Sequence, residues 1–177
     1  MNQHQLETLK KNNEESHDFV KSCFRFALMI ILKDPNDTRI TISRLCKIAG
    51  VSRTAFYRNY HDVEDVLIDE IMTFSMALAG QIKTDVYENW LSLFKLVESK
   101  LEDLKAIVNA GFEHKILEVF LSLLPKEGDN RAIQTIWLSL FYTFMVQWVK
   151  EGKPKKAEDM ARIAFKFTQN IPLVAAE

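Results

Sequence analysis

From Thr38 to His61 the chain carries five cations, Arg39, Arg44, Lys47, Arg53 and Arg58, and no Asp or Glu. Acids resume at once with Asp62, Glu64 and Asp65. Interleaved with the cations are hydroxyls and amides able to donate to an anion: Thr41, Ser52, Thr54, Tyr57 and Asn59. The net charge is −1, so this is one local positive footprint on a near-neutral molecule. Cations with short donors and an aromatic hydroxyl suit a polyanion, gripped at its phosphates and read at its base edges. An arginine at an exposed helix start can pair bidentately with guanine O6 and N7.

Such residues work only if short, rigid elements hold them on one surface. The segment from Ile42 to Tyr60 supplies those elements. Thr41 is placed to cap a helix whose Ile42, Leu45, Cys46 and Ala49 face inward. Gly50 ends that helix, since glycine accepts the left-handed backbone of a sharp reversal. Val51 plugs the corner, and Ser52 caps a second short helix, Arg53 to Asn59. Helix, Gly-Val turn, serine cap and helix make a helix-turn-helix, whose second helix is free to enter a major groove.

The run Ala49-Gly50-Val51-Ser52-Arg53-Thr54-Ala55-Phe56-Tyr57-Arg58-Asn59-Tyr60, followed by Glu64-Asp65-Val66-Leu67, resembles the signature of the TetR family of transcriptional regulators. The resemblance is specific over about residues 18–70. It implies that Thr41 and Ser52 hold phosphates, that Arg53 and Thr54 reach base edges, and that Tyr57, Arg58 and Asn59 contact the DNA backbone. It implies that Tyr60 packs inward. Two positions depart from the pattern. Val63 stands where the family usually has a phosphate-gripping lysine, and Ala55 replaces a common threonine or serine.

The expected fold is all-α, with an N-terminal three-helix helix-turn-helix DNA-binding domain and a C-terminal helical regulatory and dimerisation domain. Residues 1–17 read as a frayed or partly helical lead-in, 18–62 as the DNA-binding domain, 63–83 as a linking helix and 84–177 as the second domain. The first helix is expected over about Asp18 to Lys33, with Phe19, Cys23, Phe26, Ala27, Ile30 and Ile31 forming its inward stripe. Further helices are expected at about 86–98, 101–109, 112–124, 131–151 and 155–170. Breaks fall at Gly111, at Pro125 to Asp129 and at Gly152 to Pro154.

The helix at 131–151 is apolar over most of its circumference, so it must be buried on more than one side. In the resembled family the last two long helices of each subunit form a four-helix seam. This predicts a homodimer through Phe144, Trp148, Ile163 and Phe167, matching two half-sites of a palindromic operator. The family also implies an effector pocket for an unidentified small molecule. Its candidate walls are Trp90, Phe94, Phe112, Phe120, Trp137, Phe141 and Met145, while His114 reads as a surface or satisfied histidine rather than a polar anchor. The expected function is a repressor released from DNA by that effector. Alternatives are an activator of the same fold or a regulator controlled by a protein partner.

Other classes find little support in the residues. With 47% apolar and 27% charged residues, the chain can bury a core. Cys23 and Cys46 form no CxxC and no Cys/His cluster, so no metal and no cofactor are expected, and both read as reduced cysteines of a cytoplasmic protein. The polar N-terminus holds no apolar signal core. Ala132 to Val149 lacks charge and reaches the lower length of a membrane span, but Gln134, Thr135, Ser139, Thr143 and Gln147 form a polar strip that favours a non-membrane helix. No nucleophile–base pair or phosphate-cradling glycine loop suggests an enzyme.

Overall fold

The computed structural model describes residues 3–34, 36, 39–82, 84–128, 130–151 and 155–171, with side chains from Ser16 onward. Among these residues the secondary structure is helical throughout. In chain order the helices are α1 (Gln3–Leu32), α2 (Ile42–Ala49), α3 (Arg53–Asn59), α4 (Val63–Ala79), α5 (Val86–Ser99), α6 (Leu101–Asn109), α7 (Glu113–Ser122), α8 (Arg131–Lys150) and α9 (Ala157–Thr168). They form two compact units, Met1–Glu70 and Ile71–Glu177, with the division falling inside α4.

Helix α1 begins well before the expected Asp18. Residues Gln3 to His17 contain no Gly or Pro and are rich in Gln, Leu, Glu and Lys, so nothing stops the helix from extending. Its buried face also differs from expectation. Ala27 and Ile31 are buried as expected, but their buried neighbours are Phe24 and Leu28, whereas Phe19 and Phe26 are each 68% exposed and Ile30 is exposed as well. Two apolar stripes, one beside the other, run along this helix. The first domain's small core accommodates only one, and the edge-to-face packing of Phe24 on Phe56 and Tyr60 selects it.

In the second unit, α5 packs along α9, and α8 receives α6 and α7. The indole N–H of Trp90 on α5 donates to Thr168 Oγ1 on α9 at 2.7 Å, and Thr168 donates in turn to the Ala164 carbonyl. Every polar atom in this buried link therefore has a partner, which keeps its burial from being costly.

Among the described residues α8 is the one helix long and apolar enough to cross a membrane, and 28% of its apolar window is buried within the chain. Phe141, Met145, Val146, Trp148 and Val149 form its inward face. The opposite face, along Ile133, Ile136, Leu140 and Phe144, is exposed or half-buried. Trp148, expected at a subunit seam, is wholly buried within its own chain. It lies on the inward face, with its indole N–H donating to the Lys155 carbonyl at 2.9 Å and its ring meeting Phe94 edge-on. It has no surface left for a partner. Ile136, on the opposite face, is 48% exposed.

Candidate nucleic-acid interface

Local chemistry builds the helix-turn-helix. Thr41 Oγ1 accepts from the Arg44 N–H at 3.2 Å, closing the start of α2. Gly50 has φ 66°, and its N–H and that of Val51 both return to the Cys46 carbonyl. A residue with a Cβ would be strained in this left-handed conformation. Ser52 Oγ accepts from the Ala55 N–H at 3.1 Å and opens α3. These bonds use oxygen lone pairs of Thr41 and Ser52. The hydroxyl protons remain available to donate, as contact with a phosphate requires.

Helix α3 is sharply two-sided. Phe56 and Tyr60 are buried, with ring centroids 5.8 Å apart, and both pack on Phe24. Ser52, Arg53, Thr54, Tyr57 and Arg58 are exposed, Tyr57 at 55%. Arg53 and Tyr57 lie one turn apart, and the Tyr57 hydroxyl beside it pushes the guanidinium pKa up. Five of the six site residues proposed from sequence on α3 and its cap are thus exposed.

Asn59 is the exception. Its side-chain amide donates to the Ala55 carbonyl at 2.7 Å, while its Oδ1 is buried with no hydrogen-bond partner among the described residues. It lines a groove between α3 and α1, with Ala55 and Arg58 on one side and Ser16, His17, Asp18 and Val20 on the other. Thr41, at the start of α2, is exposed.

The basic window is also less cationic than its sequence. Arg44 pairs with Asp34 at 3.0 Å and donates to the Arg39 carbonyl at 3.1 Å. The counter-ion comes from outside the acid-free window, which is why the window alone did not reveal it. Lys47, Arg53 and Arg58 carry exposed positive charge on α2 and α3.

At the start of α4, Asp62 Oδ1 accepts from the Glu64 and Asp65 N–H groups at 2.8 and 3.1 Å. Asp65 Oδ2 accepts from the His61 N–H at 2.7 Å, a contact that holds the Asp65 carboxyl below the usual range. Carboxylates thus occupy this helix start, beside the half-buried Val63.

A polar knot fixes α3 against its neighbours. Asp69 on α4 accepts from Lys21 and Arg25 of α1, each at 2.8 Å, and from the Tyr60 hydroxyl at 2.7 Å. Burial opposes ionisation of Asp69, but the bonds from Lys21, Arg25 and Tyr60 outweigh it and hold the carboxyl below its ordinary range. Burial, with the bond to Asp69 behind it, pushes the Tyr60 hydroxyl far up. Asp69 is a residue that sequence reasoning missed, since nothing along the chain links it to positions 21, 25 and 60.

In the second unit, the rings of Trp90, Phe94, Phe120, Trp137 and Phe141 lie against one another at centroid distances of 5.5–6.3 Å. Met145 is buried beside them on the inward face of α8. Phe112 is half-buried at the N-terminal boundary of α7. The exposed His114 has Nδ1 3.2 Å from the Gly111 carbonyl, a local turn contact. Phe144 is half-buried against Trp90 and Phe167, Ile163 is half-buried, and Phe167 is 73% exposed.

No protein-family model and no curated protein matches the chain. Solved structures do. A TetR transcriptional regulator from Streptococcus agalactiae superposes with a TM-score of 0.60 at 15% identity, covering 94% of this chain and 99% of its own. The fatty acid degradation regulator FadR from Bacillus halodurans superposes with a TM-score of 0.58 at 17% identity, covering 88% of this chain and 97% of its own. At these identities the likeness establishes the fold over nearly the whole chain.

Proposed function

We propose that this chain, which has the fold of TetR-type regulators, is a DNA-binding transcriptional regulator acting as a homodimeric repressor on a palindromic operator. One observation carries the reading: Phe56 and Tyr60 anchor α3 inward while Ser52, Arg53, Thr54, Tyr57 and Arg58 face outward together. Arg53 and Thr54 read base edges, and Thr41, Ser52, Tyr57 and Arg58 grip phosphates. The outward apolar faces of α8 and α9, along Ile136, Phe144, Ile163 and Phe167, form the dimer seam.

The packed rings around Trp90 bear on how the regulator is released. A small-molecule effector would have to part rings that now touch, and so would bind a conformation different from this one. The same packing favours a second reading, control by a protein partner. Selecting DNA from a random duplex pool with purified protein tests the main reading. An enriched palindrome, lost with Tyr57→Ala, is the expected result. No enrichment from folded protein refutes it.

A further inference from the structure

The exposed stripe of α1 has a definite register. Phe19, Cys23, Phe26 and Ile30 are spaced by four, three and four residues, the seam spacing of a helix that packs on another helix. Phe19 and Phe26 are each 68% exposed, Ile30 is exposed, and Cys23 between them is half-buried. The helix's other apolar stripe already fills the core of its own unit through Phe24, Ala27, Leu28 and Ile31.

We infer that this stripe docks on the same stripe of a second copy bound alongside on the same DNA, so that neighbouring molecules bind cooperatively. The inference rests on the DNA-binding reading above. The stripe is complementary to itself. About a twofold axis midway between Cys23 and Phe26, antiparallel helices set Phe19 against the partner's Ile30 and Phe26 against the partner's Cys23. Each large ring then meets a smaller side chain, the alternation that packs well. A twofold contact of this kind needs only one patch on each molecule.

Area argues for a contact that DNA must assist. Phe19, Phe26 and Ile30 together leave roughly 300–400 Å² of apolar side chain in water, given the size of an aromatic ring. A stable interface takes about 800 Å² from each partner. The stripe is therefore too small to hold two molecules together in dilute solution. Adjacent placement on one duplex raises the effective concentration enough for a weak contact to register.

Random-sequence duplex at low salt is the probe, because phosphate contacts alone then hold the protein. A duplex of about 20 base pairs, two helical turns, seats one dimer, and one several times longer seats neighbours. Wild type is expected to fill the long duplex cooperatively, with neighbours favoured roughly tenfold or more. Phe19→Ser and Phe26→Ser should abolish that while binding the short duplex as tightly as wild type. Phe26→Met, which keeps the stripe apolar, should retain it. Both rings are exposed, so helicity by circular dichroism should not change. Cooperativity absent from wild type, or unchanged in both serine variants, overturns the inference. Failure of wild type to bind even the short duplex overturns the DNA-binding reading, and this inference with it.

Discussion

Tyr60 donates to Asp69 across 2.7 Å, tying the residue that closes α3 to the helix that follows it. The same carboxylate holds Lys21 and Arg25 of α1. One acid thereby orients three helices around Phe24, Phe56 and Tyr60. Asp69→Ala should cost about 2–3 kcal/mol in denaturant unfolding, because it removes the partly buried acceptor that Lys21, Arg25 and Tyr60 share. The folded-state pKa of Asp69 lies below its unfolded value. Its contribution is therefore complete above the unfolded pKa of about 4 and is lost as pH falls through the lower, folded value. The stability gap between wild type and Asp69→Asn should accordingly narrow below about pH 4. A gap independent of pH across that range would contradict the assignment.

Arg58→Ala should weaken binding to every duplex alike and reduce the slope of log affinity against log salt by about 0.9, the signature of one lost phosphate contact. Fluorescence anisotropy over a salt series reads both quantities. Arg53→Ala should instead relax base preference at one position in each half-site, which selected-sequence profiles would reveal.

Val63→Lys should strengthen DNA binding several-fold and steepen the salt slope by about 0.9, by restoring a cation beside Asp62, Glu64 and Asp65. An unchanged slope would mean that this helix start lies away from the phosphates.

Ile136→Asp should yield a folded monomer in sedimentation, because Ile136 lies on the outward face of α8 and its loss opens no hole in the core. Trp148→Ala should unfold the second unit instead, since that ring is enclosed and its indole N–H is bonded. A dimer that survives Ile136→Asp would move the seam elsewhere.

What the sequence disclosed follows the range of the forces involved. Caps and turns are local, so Thr41, Gly50 and Ser52 were readable from residue type and spacing alone, and the structure gives each the predicted bond or backbone angle. The inward packing of Tyr60 came from the family resemblance rather than from spacing, and the structure buries it. The buried face of α1 was not legible. Phe19, Phe26 and Ile30 keep helical spacing as faithfully as Phe24, Leu28 and Ile31, and only contacts with α3 decide between the stripes. Trp148 on α8 was assigned to a seam for the same reason: apolar spacing does not say which face its own chain encloses. Polar contacts across the fold, Arg44 with Asp34 and Asp69 with three donors, leave no periodic trace at all.

The two cysteines differ in a way that makes the molecule its own reporter. Cys46 is buried beside the turn, and burial pushes its thiol pKa up, away from the reactive thiolate. Cys23 is only half-buried, in the middle of the exposed α1 stripe. A thiol-specific dye added to the unmodified protein should therefore react first at Cys23. Its emission would follow whatever approaches α1 without any engineered label, while the helix-turn-helix corner stays chemically untouched.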